Sequence, residues 1–580
     1  MQSGGLKAAV FPKEDRMLQT PGRRVPIVSF FSFIAVVLLF TGCAPQGTPT
    51  TNKPGGPVQK GGTWVVDLFN EPDSLIPNAS SQTFAYLVDQ SLYAPLFVGD
   101  TEGHIQPGIA TELPTTENGG ISSDLKTWTF KLRPGLKWSD GQPLTAEDVD
   151  FTWRLWMNPK FAAADTVAFR LIESTQISSD KLSITFKLKE PYAPFIASWT
   201  DGYHAPMPKH HFESMDPSEI KKAEGLNPKV VSGPFKMKES KPGVQYAVVR
   251  NENYYRASEG YPYLDSVVFR AVPNQDTILK DLQAGTADSA WFLDVTKLDA
   301  YKALQDYEVV QYQSSYYEAI HFNFNNPALK DVNVRKAINM AIDRDELVKT
   351  ARLGQGKPLC VDHGPAYDPG YQPDIQCPKF DIDGANKLLD QAGWVKGSDG
   401  VRQKNGLRLE FQYSTTAKNR WRERDQLINQ DNFKKIGIKV NISNYPANTF
   451  FGSLLPEGKP GKYDLAEWGS SYSNDPNNSS MYACSQIPPK GQNYNFYCDP
   501  EFDKLLAQQV ATADKAKRQQ IFNQLHQKMI DDAVIASMFA LVDLAVHKKG
   551  TNNYKPSPFG PSETINVWEW WCDGGKCPHS

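Results

Sequence analysis

Residues 124–154, DLKTWTFKLRPGLKWSDGQPLTAEDVDFTWR, carry a strand, a turn and a capped helix in one stretch. Thr127 to Leu132 (TWTFKL) alternates side chains with the period of a strand that buries one face. Trp138-Ser139-Asp140-Gly141 is a turn signal, because glycine supplies the left-handed conformation that a tight Asp-Gly turn needs. Thr145 then stands as N-cap with Asp148 three residues on, a capping box in which Asp replaces the usual Glu. Val149, Phe151, Trp153 and Trp156 continue that helix. Asp140 and Glu147 invite a glycosidase reading, since paired carboxylates serve as acid and base. Their places argue against it: Asp140 belongs to a turn, and Glu147 to the first turn of a helix, where an acid favours the macrodipole. The stretch therefore diagnoses a fold and not a chemistry.

Working outward, Gly62 to Phe69 (GTWVVDLF), Leu182 to Leu188 (LSITFKL), Ala319 to Phe324 (AIHFNF), Leu407 to Tyr413 (LRLEFQY) and Ile438 to Ile442 (IKVNI) read as strands. Helices are expected over Thr83 to Tyr93, Asn333 to Leu347, Asp383 to Ala392 with Gly393 closing it, Asp425 to Ile436, and most of Pro500 to Ile530. Strand–helix–strand alternation implies a parallel or mixed sheet covered by helices. GxSxG, HExxH and P-loop patterns are absent from the sequence. A secreted lipoprotein hydrolase is the different-class alternative.

The first 42 residues differ from the rest. Lys7, Lys13, Arg16, Arg23 and Arg24 precede an apolar run, Ile27 to Phe40, of 14 residues. That is short of the roughly 20 needed to span a bilayer and right for a signal-peptide core. It ends at Thr41-Gly42-Cys43, small residues before a cysteine, which resembles a bacterial lipobox with Cys43 as the lipidated residue. Residues 43–61, rich in Pro, Gly, Thr and Gln, read as a flexible tether. The protein is thus expected outside the cytoplasmic membrane, in the periplasm or at the cell surface, held by lipid.

Six further cysteines fall into three couples, Cys360 and Cys377, Cys484 and Cys498, Cys572 and Cys577, separated by 17, 14 and 5 residues. Six cysteines allow 15 connectivities, and neighbour pairing closes each loop at least entropic cost. An exported chain lets such bonds persist. The spacings contain no CxxC unit and His363 and His579 stand isolated near cysteines, so no metal is expected. Lys+Arg 62 against Asp+Glu 65 gives net -3, which argues against phosphate-neutralising nucleic-acid binding. Aromatic residues at 12% suit both a packed core and a pocket that binds by stacking.

The 124–154 string resembles the extracellular solute-binding proteins, family 5, the peptide, dipeptide and nickel receptors of ABC importers. EPDSLIP (71–77), VSGPF (231–235), RNENYY (250–255), AGTAD (284–288), DVNVRKAINMAIDRDEL (331–347), KLLDQAGW (387–394) and YDLAEWGSSYSNDP (463–476) follow in the order of family landmarks, covering nearly the whole chain from residue 60. The resemblance implies an α/β, two-lobed periplasmic-binding-protein-like fold of type II, the large three-domain variety, with mixed sheets flanked by helices. It implies domain I at 62–93, 230–317 and 543–580, domain II at 94–229 and domain III at 318–542, with chain crossings near Tyr317–Asn323 and Leu541–Val546 as the hinge. It further implies a monomer without enzyme activity or cofactor, which takes a peptide between closing lobes and hands it to a membrane permease. An oligosaccharide is the alternative ligand.

Ligand-facing candidates follow from the same landmarks. Trp468 ends the YDLAEW strand, where the family places a pocket aromatic. In peptide-binding relatives an aspartate three residues later pairs with the peptide's α-ammonium; here that residue is Ser471, which with Tyr472 suits a neutral solute as well. Asp475, further on, is expected to cap a turn before Pro476. Asn70 at the end of the first strand, Asn493 and Tyr494 in GQNYNFY, and Arg420 after the LRLEFQY strand complete the set. His321, inside an apolar strand, is expected in the core.

Overall fold

The computed structural model describes residues 58–578 apart from Ser81, residues 560–562 and residues 575–576. The expected leader, Cys43 and the tether up to residue 57 lie outside the described residues. No helix among the described residues is long and apolar enough to cross a membrane.

One mixed sheet organises the fold. Its ten path strands are β1 (Gly62–Leu68), β2 (Phe235–Lys241), β3 (Gln245–Arg250), β4 (Ser266–Ala271), β5 (Ser289–Trp291), β6 (Tyr307–Phe322), β7 (Glu410–Ser414), β8 (Lys439–Ile442), β9 (Leu465–Ser470) and β10 (Ile535–Lys548). They lie in the order β8-β7-β9-β6-β10-β5-β1-β4-β3-β2. On one side β1 runs parallel to β4 and β5; on the other, β7 runs parallel to β8 and β9. The long antiparallel pair β6 and β10 joins the two halves. It extends from Tyr307 opposite Lys548 to His321 opposite Ile535, with its register broken between Gln313 and Tyr317. At that break Ser315 donates its N–H to the Pro558 carbonyl at 2.8 Å, so the interrupted ladder leaves that donor satisfied.

The residues quoted first behave as their chemistry dictates. Thr127–Lys131 pairs antiparallel with Ser183–Leu188, and Ile172–Ile177 completes a separate three-stranded sheet. In the capping box, Thr145 Oγ1 accepts the Glu147 N–H at 3.3 Å while the Asp148 carboxylate accepts the Thr145 N–H at 2.8 Å. The helix Ala146–Trp156 buries Val149, Trp153 and Trp156, and Trp156 stacks on Trp199 with ring centres 5.7 Å apart. Asp140 and Glu147 form no carboxylate pair: Asp140 faces His210 at 2.9 Å, and Glu147 faces Lys181 at 3.1 Å.

Several element boundaries differ from expectation. The helix expected over Asn333 to Leu347 stops at Met340, because Asp343 turns its carboxylate back to the Glu346 N–H and starts a new helical turn. Leu407–Arg408 folds back on Arg402–Lys404, and only Glu410–Ser414 joins the main sheet. The helix expected from Asp425 begins at Arg420, capped by Asn419. Pro500–Val510 and Lys515–Asp531 are two helices, the second capped by Asp514. Ala319 to Phe322 is the end of the sixteen-residue β6. The cysteines pair as neighbours, Cys360 with Cys377, Cys484 with Cys498 and Cys572 with Cys577.

Candidate functional site

In open α/β sheets ligands gather outside the carboxyl ends of parallel strands. Registers here aim two such sets of ends at each other. β5 ends at Trp291 opposite Ala545 of β10, while β9 ends at Ser470 opposite Tyr317 of β6. Both ends meet the stretch of β6 and β10 where the ladder breaks. Asn70, just past β1, is exposed; Phe292 follows β5; Ser471 and Tyr472 follow β9; Arg420 follows β7.

Around this junction the chain places an aromatic and hydroxyl surface. Phe292 holds φ +58°, a strained backbone for a bulky residue, and its ring lies 6.5 Å from both Phe84 and Tyr316. The Thr83 and Tyr316 hydroxyls are 3.3 Å apart. Burial raises the Tyr316 phenol, and the Thr83 and Ser471 hydroxyls beside it lower it in part. Thr83, Phe292 and Tyr316 escaped the sequence reading, since nothing local marks a left-handed Phe or separates Tyr316 from Tyr317.

The candidates divide into groups. Ser471 is at the junction. Tyr472 is buried, and its hydroxyl donates to Asp362 at 2.8 Å while its N–H donates to the Tyr367 hydroxyl at 2.6 Å. Trp468 is only 3% exposed. His321 stacks on it at 3.5 Å and 9°, and Tyr494 stands edge-on at 6.3 Å; its Nε1 donates to Ser470 Oγ at 3.0 Å. Trp468 and Tyr494 thus share a packed patch with Phe450 and Phe451. His321 is in the core as expected; burial lowers it to about 3 despite its Asn495 contact, so the ring is neutral. Asn493 is fully buried and donates to the Tyr482, Ala483 and Tyr497 carbonyls, which ties its own loop. Arg420 is exposed at its helix start; Asp276, held low first by Lys297, is lowered further by the Arg420 charge.

Asp475 does more than cap a turn. It accepts the Asn477 N–H at 2.9 Å and also forms a bidentate pair with Arg518, so it is no free anchor for an ammonium group. The segment after Tyr472 also meets residues from the first 200. Asn474 Nδ2 donates to the Gly103 carbonyl at 2.9 Å and Asn477 Nδ2 to the Tyr192 hydroxyl at 2.8 Å. A Cβ on Gly99 would lie 2.7 Å from Asn474 Nδ2, so a larger residue there would push that amide aside. His363, isolated in sequence, is not isolated in space: it packs with Asp362 and His526 beneath this segment.

Asp543 of β10 is buried next to the register break, and burial pushes its carboxyl up to about 6, against the opposing effects of Ser314 and Arg352. The folded state therefore keeps a proton that the unfolded chain releases near pH 4, so this group's contribution is lost as pH rises from 4 past 6. Asp543→Asn removes that loss. Its stability relative to the unsubstituted protein is expected to rise by about 3 kcal/mol between pH 4 and 7, read by denaturant titration at each pH; a constant difference would contradict the assignment.

Comparison with known proteins gives the chain its class. Residues 104–489 match the family described as bacterial extracellular solute-binding proteins, family 5 Middle. The chain belongs to that family. The oligopeptide-binding protein AppA of Bacillus subtilis (strain 168) is 27% identical over 560 residues, which span 95% of this chain and 99% of the relative. The nickel-binding periplasmic protein of Escherichia coli (strain K12) is 26% identical over 515 residues, 86% of this chain and 92% of that one. The solved structure of B. subtilis AppA in complex with a nonapeptide superposes with a TM-score of 0.78 at 26% identity, covering 89% of this chain and all of that one. The mixed α/β architecture is accordingly that of the type II periplasmic binding proteins.

Proposed function

We propose that this protein captures an intact peptide at the junction of the two half-sheets and delivers it to the permease of an ABC importer. The observation that carries the reading is the pair of opposed carboxyl ends across the β6–β10 ladder, where Thr83, Phe292, Tyr316 and Ser471 converge. Likeness to AppA over almost the full chain supports peptide as the ligand class. The half-sheets act as lobes: domain I at 62–93, 230–317 and 543–580 with domain II at 94–229, and domain III at 318–542. A guest that binds the shut arrangement 100-fold better than the open one favours closure by about 2.7 kcal/mol. No bond of the guest changes. Cys43 carries the lipid that keeps a monomer at the outer face of the cytoplasmic membrane, and closure presents both lobes to the permease.

Ser471 shapes selectivity. With a neutral hydroxyl at this place and Asp475 committed to Arg518, the peptide's α-ammonium gains little. N-acetylation of a bound peptide is therefore expected to change Kd by less than about tenfold, under 1.4 kcal/mol; a hundredfold loss would overturn this role of Ser471. The same neutrality favours an oligosaccharide as the second reading. Mass spectrometry of ligand released from purified protein, followed by calorimetry with that compound, distinguishes them.

A further inference from the structure

Asp362 and His363 lie inside the loop closed by the Cys360–Cys377 bridge, and His526 lies on the helix Lys515–Asp531. All three side chains are fully buried. His363 Nδ1 is 2.8 Å from Asp362 Oδ1 and 3.1 Å from His526 Nε2, and His526 Nε2 is 3.4 Å from Asp362 Oδ1. Three donor atoms in this triangle match the spacing around a tetrahedral ion: ligands at about 2.0–2.1 Å stand about 3.3 Å apart.

Proton bookkeeping points the same way. His363 Nε2 lies 2.6 Å from the Pro476 carbonyl, an acceptor, so Nε2 carries the hydrogen. In a neutral ring Nδ1 then holds a lone pair. That lone pair faces Asp362 Oδ1, which also has no hydrogen to give. Asp362 Oδ2 already accepts from Tyr472 and Asn478, each at 2.8 Å. His526 Nδ1 is buried without a hydrogen-bond partner in the protein and is free to carry that ring's hydrogen, turning the Nε2 lone pair to the same point. With the rings in these tautomers, three lone pairs converge on one point of a dry site, an arrangement that a bound cation satisfies. The surroundings supply what metal ligands commonly have: a carbonyl orienting His363, hydrogen bonds holding the carboxylate, and Tyr367, Tyr472 and Phe522 rings within 5.2 Å of His363 to exclude water.

We propose that Asp362 Oδ1, His363 Nδ1 and His526 Nε2 bind a divalent transition-metal ion of the zinc class. The donor set, two imidazoles and a carboxylate, is one that zinc accepts. This ion would brace the segment from Tyr472 to Asn478 from below, and the inference stands whether or not the guest at the junction is a peptide.

The test uses the full mature chain, produced without a metal-affinity tag, stripped with chelator and titrated with zinc and with cobalt(II). One tightly held equivalent per chain is expected, with visible cobalt absorption rising in step with uptake. X-ray absorption at the zinc edge is expected to show two imidazole nitrogens and one carboxylate oxygen. His526→Gln, checked for folding by circular dichroism, is expected to lose that equivalent. Should the variant not fold, the absorption spectrum of the unsubstituted protein decides alone. Absence of stoichiometric uptake, a ligand shell without two imidazoles, or nitrogen NMR showing both hydrogens on His363 with Asp362 as its counter-ion would overturn the proposal.

Discussion

Arg422→Ala is expected to destabilise the protein by about 3–5 kcal/mol, the cost of leaving a buried charge without its partner. Arg422 forms a fork with Glu318, Nε to Oε1 at 2.9 Å and Nη2 to Oε2 at 3.0 Å. Glu318 is completely buried on β6. Glu467 on β9 and Asp425 on the helix Arg420–Lys435 lie close by, also buried. Burial first, and mutual repulsion after it, push Asp425 and Glu467 well above the carboxylate range, and the fork of Arg422 answers to Glu318. Burial raises Glu318 too, with Arg422 opposing it. Without Arg422 the Glu318 carboxyl must take up a proton on folding. The deficit of the variant should therefore shrink as pH falls and widen as pH rises. Glu318→Gln in the same background should recover most of the loss, because a neutral amide is far cheaper to bury than a lone carboxylate. Denaturant titrations of the three proteins across pH check this; equal deficits at all pH values would place the cause elsewhere.

Saturation with its guest is expected to raise the stability of the protein by about 4 kcal/mol at a ligand concentration 1,000 times Kd, since only the folded state binds. The gain should report on the junction. Tyr316→Phe, which deletes the hydroxyl beside Thr83 and Ser471, should keep most of the unliganded stability and reduce the ligand-dependent part. A guest that raised the melting temperature equally in both proteins would have to bind somewhere else.

What the sequence made legible was mainly local. The turn and capping box of residues 124–154 sit where their side chains say, because each bond closes within a few residues. The cysteine couples were legible for the same reason. The order of the family landmarks pointed to the architecture that the comparisons bear out. Element ends were less legible: Asp343 carries a capping side chain, but MAIDRDEL also reads as continuous helix.

Long-range pairing was the hidden part. Nothing near Trp468 shows that His321 will cover its face, and nothing near His363 shows His526. Arg420 was the arginine singled out after the strand, yet Arg422, two positions on, is the one turned inward to Glu318. The residue between Trp468 and Ser470 is glycine because a Cβ there would lie 2.8 Å from Glu318 Oε2, a constraint that exists only once β6 and β9 are paired.

Small-angle scattering of chelator- and ligand-stripped protein, before and after addition of the peptide recovered from it, tests capture by closure most directly. The radius of gyration should fall on addition, and the peptide should be recovered with its mass unchanged. An unchanged scattering curve at saturating peptide, or a cleaved peptide after incubation, would contradict it.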